Sequence, residues 1–351
     1  MSELMNHCDN RAAIRWKLLA SASVLALTAA ISPSGIARAE DADNPPVWIE
    51  LGGQYTVLDD SQQRYAPPFV SVLPAVLPSP LPAQRLPDNS FNWNGKVSFD
   101  MTDWIFSASV QYGRSASVGH VEKVLPPTRN GTTGFNYAND AEYVQSNSVE
   151  HESRTILDFT AGRDIGIGAL GGEAELSGGV RVVQFGSDQK ASITAFPSFQ
   201  YQHSHNRFEG QMQAKRDFDG VGPSIAWDAS TPIAGNVQKG EITFDWGANA
   251  AILFGRRKAD IHHQTSQCFG LYRYCAAVYT HPGEFKRSRM ATIPNLGGFA
   301  GLSIRYANAK VSIGYRADEF FGAMDGGIAT AKNENVGFYG PFASVSIGLG
   351  G

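Results

Sequence analysis

The chain has 351 residues, of which 42% are apolar or aromatic and only 18% are charged. This composition is too apolar for a disordered protein. The chain carries 29 Lys and Arg against 33 Asp and Glu, which disfavours a broad nucleic-acid-binding surface. After residue 40 there is no apolar run of about 18 residues, so a bundle of membrane-spanning helices is excluded. Soluble β proteins and membrane β-barrels both remain compatible, because bulk hydropathy does not separate them.

The N-terminal segment has the three parts of a secretory signal peptide. Basic residues between positions 11 and 17 precede an apolar run over 18–31, and a small-residue site follows at Ala37-Arg38-Ala39. This order is typical of a cleaved export signal. We therefore expect a signal peptide over 1–39 and a mature protein over 40–351. A short membrane anchor is the alternative, but the apolar run is too short to span a bilayer comfortably.

Two cysteines remain after removal of the signal peptide. Cys268 and Cys275 are separated by six residues in a chain that is predicted to be exported. Exported proteins meet oxidising conditions, so we predict a local disulfide between these two residues. A metal site that also uses His262 and His263 is the alternative, although the C-x6-C spacing matches none of the usual zinc sites.

Apolar and polar residues alternate through the mature chain. Val311 and Ile313, for example, alternate with Lys310 and Ser312. Because successive side chains of a strand point to opposite faces, each such segment has one apolar and one polar face. The predicted strands are 47–57, 90–101, 103–114, 150–163, 172–185, 217–228, 240–255, 295–307, 309–321 and 336–349.

The predicted connections are alternately short and long. Short periplasmic turns and long outer connections are typical of bacterial outer-membrane barrels. We therefore predict an all-β fold over 40–351, a single transmembrane antiparallel up-and-down β-barrel of ten strands. Twelve strands are the alternative, because the segment 191–215 also alternates in part. The Pro-rich connection 58–89 is expected to be extended or irregular.

The sequence contains no motif in a context that fits catalysis or cofactor binding. The sequence G-x-G-x-x-G occurs at 166–171, but an alternating strand follows it, and a dinucleotide site requires a helix there. The motifs G-x-S-x-G and H-E-x-x-H and the Walker loop do not occur. His151 and Ser153 are the closest catalytic-type pair and are more typical of a solvated strand end. We therefore predict no enzymatic activity and no cofactor.

The polar stripes of the predicted strands are expected to line the lumen. A charge that faces lipid costs about 2–4 kcal/mol near the bilayer midplane, so the charged residues should point inward. Barrels of ten or twelve strands are intermediate in size between small barrels, which side chains fill, and large barrels, which enclose a channel. The inward charges then form either a packed network of ion pairs or the lining of an aqueous path. The predicted lumen-lining residues are Glu50, Asn92, Asn94, Lys96, Gln111, Asp158, Glu175, Arg181, Asp245, Asn249, Arg305, Lys310 and Arg316.

Several short motifs in residues 150–351 resemble the Legionella-type major outer membrane protein family. The motifs are GGVR at 178–181, FDGVGP at 218–223, AILFG at 251–255, YRADEFF at 315–321 and GFYGP at 337–341. The resemblance implies an outer-membrane barrel with a pore role and supplies no catalytic residues. Barrels of this kind usually end in Phe, whereas this chain ends Ile347-Gly348-Leu349-Gly350-Gly351. We therefore expect a short tail after a last strand that ends at Leu349.

Two functions follow from these predictions. The first is a porin-like pore in the outer membrane of a Gram-negative bacterium, through which small polar solutes or ions diffuse passively. The alternative is a structural or surface-interaction barrel, such as an adhesin or antigen, with a closed lumen and binding through its outer loops. The expected partners are outer-membrane lipid, lipopolysaccharide and the barrel-insertion machinery, but not nucleic acid. The oligomeric state stays open.

Overall fold

The computed structural model describes residues 46–59, 89–101, 103–125, 142–166, 172–196, 207–269, 277–327 and 330–349. The predicted signal peptide, most of the Pro-rich connection and Cys275 lie outside these ranges. No helix in the described residues is long and apolar enough to cross a membrane. The strands are β1 (Val47–Asp59), β2 (Asn89–Met101), β3 (Trp104–Leu125), β4 (Glu142–Asp164), β5 (Glu173–Phe196), β6 (Arg207–Asn236), β7 (Gly240–Phe269), β8 (Ala277–Tyr306), β9 (Ala309–Asp325) and β10 (Asn333–Leu349).

The ten strands pair in chain order and close into a ring. β1 pairs with β10, from Val47 opposite Leu349 to Asp59 opposite Gly337, and every neighbouring pair is antiparallel. The predicted all-β up-and-down barrel is therefore confirmed. The count is ten and not twelve, because residues 191–196 continue β5 and residues 207–215 continue β6.

The strands differ in length, and the extra length lies at one end of the barrel. β1 and β2 have 13 residues each, whereas β6, β7 and β8 have 30 each. All short turns, such as 237–239 and 307–308, lie at the opposite end, which we call the short-turn end. The long strands form an extended wall, made of residues 186–196, 207–219, 256–269 and 277–289.

The sequence prediction placed this extended wall in loops, and that part of it was wrong. β7 was predicted to end at residue 255 but continues to Phe269, and β8 begins at Ala277 instead of residue 295. The alternation weakens because the outward face of the wall is polar or charged, as at Arg256 and Lys258, and the inner face combines charged Arg257 with a small apolar cluster that includes Ala259 and Ile261. Water-exposed strands have no apolar face toward lipid, so a pattern that relies on lipid contact cannot detect them.

An apolar belt surrounds the barrel next to the short-turn end. Its outward side chains are large and remain exposed, such as Leu51 at 68% and Ile313 at 59%. Along β9 exposed and less exposed residues alternate from Ala309 onward. Water-soluble proteins rarely expose apolar surface this continuous. A closed barrel with such a belt, short turns at one end and long strands at the other has the architecture of an outer-membrane barrel.

The belt predicts where a charge will be tolerated. We expect Ile313→Arg to reduce the free energy of unfolding by about 2–4 kcal/mol in lipid vesicles, because the guanidinium would face hydrocarbon. Ser288→Arg, on the outward face of the extended wall, is the control and should change it by less than about 0.5 kcal/mol. Urea unfolding monitored by Trp fluorescence measures both. Equal losses for the two variants would contradict the placement of the belt.

Candidate functional site

A polar chamber occupies the half of the lumen next to the short-turn end. Its volume is about 1030 Å³, and its rim includes Asp100, Glu173 and Glu241, which lie beside short turns. The chamber brings together every residue that was predicted to line the lumen. These residues are Glu50, Asn92, Asn94, Lys96, Gln111, Asp158, Glu175, Arg181, Asp245, Asn249, Arg305, Lys310 and Arg316.

Six further acidic residues line the chamber and were missed by the sequence prediction, five of them on strands and Asp103 in the turn after β2. Asp100 lies on the same face of β2 as Lys96, and Asp164 lies on the same face of β4 as Asp158. Strand parity alone would therefore have found them. They were missed because they stand at or next to the ends of the predicted strands, where the alternation of neighbouring apolar residues stops. The five on strands are Asp100, Asp164, Glu173, Asp228 and Glu241.

Arg181 connects four strands at the inner end of the chamber. Its Nε donates to Asp158 Oδ1 at 2.6 Å, and its Nη2 donates to Asp158 Oδ2 at 3.1 Å. Its Nη1 donates to Asn249 Oδ1 at 2.8 Å and also to Asn295. A bidentate arginine–carboxylate pair fixes both direction and distance. Arg181 therefore holds β4, β5, β7 and β8 at fixed positions around the lumen.

A second group of paired charges lies closer to the short-turn end. Asp245 forms an ion pair with Lys310, whose Nζ is 2.6 Å from Oδ2. Asp245 also accepts hydrogen bonds from Ser230 at 2.7 Å and from Thr243 at 2.9 Å. Several of the predicted lumen charges thus form a network of ion pairs, while others face the open volume of the chamber.

Apolar side chains cross the lumen directly beyond the chamber. We call Phe185, Phe218, Phe320 and Phe338 the aromatic layer. The ring centroid of Phe185 is 4.8 Å from that of Phe320 and 5.5 Å from that of Phe338. Phe185 lies on β5 and Phe338 on β10, and these strands are five positions apart in either direction around the ring. The contact between them therefore spans the whole width of the barrel.

Arg154 packs against the aromatic layer. Its guanidinium carbon lies 3.9 Å from the centroid of the Phe338 ring. Its Nη2 donates to Thr56 Oγ1 on β1 at 2.9 Å and to Ser90 Oγ on β2 at 3.5 Å. The side chain thus links β4 to β1 and β2 and contacts β10 through Phe338. It combines a cation–π contact with hydrogen bonds, so its charge is not left without partners in the lumen.

The aromatic layer was not predicted, although its position follows from strand parity. Phe338 lies on the same face of β10 as Ser344 and Ser346, which line the chamber. The prediction assigned only polar residues to the inner face. That assumption fails where side chains pack against each other inside the lumen, because such packing favours large apolar groups.

The two neighbouring histidines of β7 point to opposite faces. His262 Nε2 lies 3.0 Å from Asp260 Oδ1 on the exposed face. His263 is on the inner face, where it stacks on Phe285 with centroids 5.5 Å apart. A metal site that combines both histidines with the cysteines is therefore disfavoured. The predicted disulfide stays a prediction, because Cys275 lies outside the described residues.

Asp260, His262 and Glu284 place one ligand atom each within 4.8 Å of one another on the extended wall. Glu284 is already bound to the ammonium group of Lys286. That hydrogen bond lowers the pKa of the Glu284 carboxyl. The ammonium group of Lys286 already supplies a positive charge to this cluster, and a metal ion would have to displace it.

The G-x-G-x-x-G sequence belongs to the connection between β4 and β5. Gly166 has a φ of 62°, and residues 167–171 lie outside the described ranges. The strand β5 follows it from Glu173. The strand–turn–helix arrangement that binds a pyrophosphate is therefore not formed here.

The comparisons with known proteins identify no family for this chain. No family model matches the chain. No curated protein matches it either. Among solved structures, the transport unit of the autotransporter AIDA-I from Escherichia coli is 8% identical, with 92% of this chain and 96% of that chain covered and a TM-score of 0.21. At that TM-score the likeness supports no argument. Membership of the Legionella-type family therefore stays a prediction.

Asp325 anchors the connection between β9 and β10 at the end opposite the short turns. Its carboxylate accepts hydrogen bonds from Gly327 N at 3.1 Å, Lys332 N at 3.0 Å and Arg287 Nε at 3.0 Å. Burial on its own would raise the pKa of Asp325. The backbone hydrogen bonds from Lys332 and Gly327 and the pairing with Arg287 outweigh it, so the pKa is lowered.

Because the pKa of Asp325 is lowered, the stability that its hydrogen bonds contribute depends on pH. The stability that ionised Asp325 contributes is present above its unfolded-state pKa and is lost as the pH falls through the lower folded-state pKa. We expect Asp325→Asn to reduce the free energy of unfolding by about 1–3 kcal/mol at neutral pH, and the difference from wild type to shrink in acid. Urea unfolding over a pH series measures it. Asp188→Asn is the control. A difference between Asp325→Asn and wild type that grew in acid would contradict the assignment.

Proposed function

We propose that the protein is an outer-membrane barrel with a closed lumen that acts at the bacterial surface through its extended wall. The contact of Phe185 with Phe338 across the full width of the barrel carries this proposal. Phe218 and Phe320 in the same layer are fully buried, so solvent reaches them from neither end. A hydrated ion would have to lose its water to pass between these rings, which is costly. Ten strands are few enough for side chains to fill the lumen in this way.

The extended wall supports a role at the surface. Phe254 is the last large apolar residue on the outward face of β7, and the strand continues for 15 residues to Phe269. At about 3.3 Å per residue this is roughly 50 Å along the strand. The outward face has mixed charge, with Lys258 paired to Asp219 at 3.7 Å and Lys215 paired to Asp188 at 3.8 Å. A paired, hydrogen-bonded sheet of this height gives a rigid, water-exposed surface for contact with other molecules.

A passive diffusion pore is the second candidate, and the charged chamber favours it. The chamber extends through half of the lumen and would be the wide vestibule of such a pore. The aromatic layer would then be a gate that opens by movement of the rings of β5, β9 and β10. The resemblance to a pore-forming family points the same way. The two candidates differ in one measurable property, the conductance of the unmodified protein.

Ion conductance in planar bilayers separates these functions. We expect no stepwise current from the wild type and a steady current from the triple variant Phe185→Ala, Phe320→Ala and Phe338→Ala, because removal of the rings opens the lumen. Phe244→Ala with Phe254→Ala, on the lipid-facing side, is the matched control and should stay silent. Each buried Phe→Ala change costs about 3–5 kcal/mol, so Phe338→Ala alone is a second, milder variant. Regular channel openings in the wild type would refute the closed lumen.

The opened variant also predicts an ion preference. Ten acidic and six basic residues line the chamber, so cations should be preferred. Arg316→Gln in the triple variant should strengthen this preference, since it removes a positive charge from the lining. Reversal potentials in asymmetric KCl measure the effect. An unchanged reversal potential would show that Arg316 acts only in packing, through its bond to Asp318 at 2.7 Å.

A further inference from the structure

The extended wall is a sheet that ends in an edge along β8. Residues 277–294 of β8 pair with β7 on one side. On the other side, pairing with β9 begins only at Asn295, which lies opposite Phe320. Within the described ranges, no strand pairs with residues 277–294 on that side. This part of β8 therefore has the form of an edge strand, to which a further strand can be added.

β9 does not cover this edge because its last residues turn into the lumen. Gly322 has a φ of 72°, and its carbonyl oxygen accepts a hydrogen bond from Arg257 Nη1 at 2.8 Å. Arg257 is on the inner face, directly opposite Phe218. Ala323 and Met324 pack in the same buried cluster as the aromatic layer. The end of β9 thus helps to fill the lumen and leaves the neighbouring edge of β8.

The turn between β8 and β9 identifies the residues whose backbone groups point to the edge. Tyr306 pairs with Ala309 around a two-residue turn, in which Ala307 has a φ of 48°. In such a hairpin the residues that flank the turn exchange both backbone hydrogen bonds, and every second pair repeats this pattern. The register of β8 has no shift as far as residue 277. Its even-numbered residues therefore point their N–H and C=O groups away from β7.

Two prolines agree with this assignment. Pro282 and Pro294 are both even-numbered, so neither removes a hydrogen bond between β8 and β7. The even-numbered residues between them carry edge-facing N–H groups, and an extended peptide can pair with such a ladder. These residues are Glu284, Lys286, Ser288, Met290 and Thr292.

The inner face beside this edge carries a positive charge that is not balanced. Arg289 is exposed and forms no ion pair with another described residue. It lies directly opposite Arg257, and like charges across a strand pair destabilise it. Arg287, two residues away, is already paired with Asp325. An acidic side chain on the inner face of an added strand would lie next to Arg289 and balance its charge.

Charge also favours an acidic peptide over a second copy of this chain. Residues 283–291 contain three basic residues and one acidic residue, so two copies of this edge would repel each other. On the outer face, Met290 is 67% exposed and offers a flexible apolar contact. The edge therefore fits a strand with acidic side chains on one face and apolar side chains on the other.

We propose that residues 283–291 of β8 bind an extended acidic peptide segment of a surface partner as a further antiparallel strand of the wall. The edge-facing backbone groups bind the main chain of the peptide, and Arg289 pairs with an acidic side chain. This inference rests on the proposed role of the extended wall at the surface. Channel openings in the wild type would refute the closed lumen without affecting the edge, and failure of peptide binding would leave the conductance result unchanged.

Fluorescence anisotropy of a short labelled peptide that alternates Glu with Val tests the edge on the folded full chain in detergent. The alternation places all Glu side chains on one face, next to Arg289. Arg289→Glu should weaken binding of this peptide roughly tenfold and strengthen binding of a Lys–Val peptide to a similar degree. A folding defect would weaken both. Lys258→Glu on β7 makes the same change of charge away from the edge and should bind both peptides as the wild type does.

N-methylated peptides test the backbone pairing separately. In antiparallel addition the Val residues lie opposite the even-numbered residues of β8, so N-methyl groups on Val block the ladder. This peptide should bind at least roughly tenfold more weakly, because those hydrogen bonds are lost. N-methyl groups on Glu point away from the wall and should leave binding unchanged. Met290→Pro removes one edge-facing N–H group of the protein and should also weaken binding.

Three results would overturn the proposal. The first is the absence of saturable binding of the Glu–Val peptide to the wild type, which would mean that the prolines and basic residues only protect the edge from aggregation. The second is equal binding of the two methylated peptides, which would mean general charge attraction. The third is a wild-type dimer that Met290→Pro dissociates, which would assign the edge to a second copy of this chain.

Discussion

Closure of the ring between β1 and β10 is the constraint on which the rest of the structure depends. A strand edge that faces lipid leaves its N–H and C=O groups without partners, and each such group costs several kcal/mol. Pairing from Val47–Leu349 to Asp59–Gly337 removes both edges at once. On the other side of β10, Gly348 N donates to Asn308 O at 2.7 Å, which extends the pairing of β10 with β9 into the turn. Once the ring is closed, each side chain within the apolar belt faces either lipid or a lumen of fixed width.

The fixed width of the lumen explains why it contains both a charged chamber and an apolar aromatic layer. A lumen of ten strands is too narrow to be left empty along its whole length and wide enough to hold a chamber. Charged groups facing the chamber are either paired, as Arg181 is with Asp158, or in contact with the open volume. Where rings from opposite strands can touch, apolar packing replaces hydration and closes the path. Arg154 belongs to both regions, because it hydrogen-bonds to Thr56 and lies over Phe338.

The sequence predicted those parts of the barrel in which the two sides of a strand meet different media. Residues 309–321 of β9 were predicted almost to their true end, because Val311 and Ile313 face lipid while Lys310 and Ser312 face the chamber. The wall beyond Phe254 was missed, since its outward face has no large apolar residues on β7 and its inward apolar residues, such as Ala259 and Ile261, are few. The aromatic layer was missed because its residues are apolar although they point into the lumen. Phe338 has the parity of an inner residue but the chemistry of an outer one, and only the contact with Phe185 shows why.

The same division separates the charge of the chamber from closure of the lumen. The charged residues that line the chamber and the rings of the aromatic layer are different residues. A change of charge in the chamber can therefore leave the lumen closed, and loss of the rings can open the lumen without removing the acids. As long as Phe185 touches Phe338, the chamber is open to solvent only through the short-turn end.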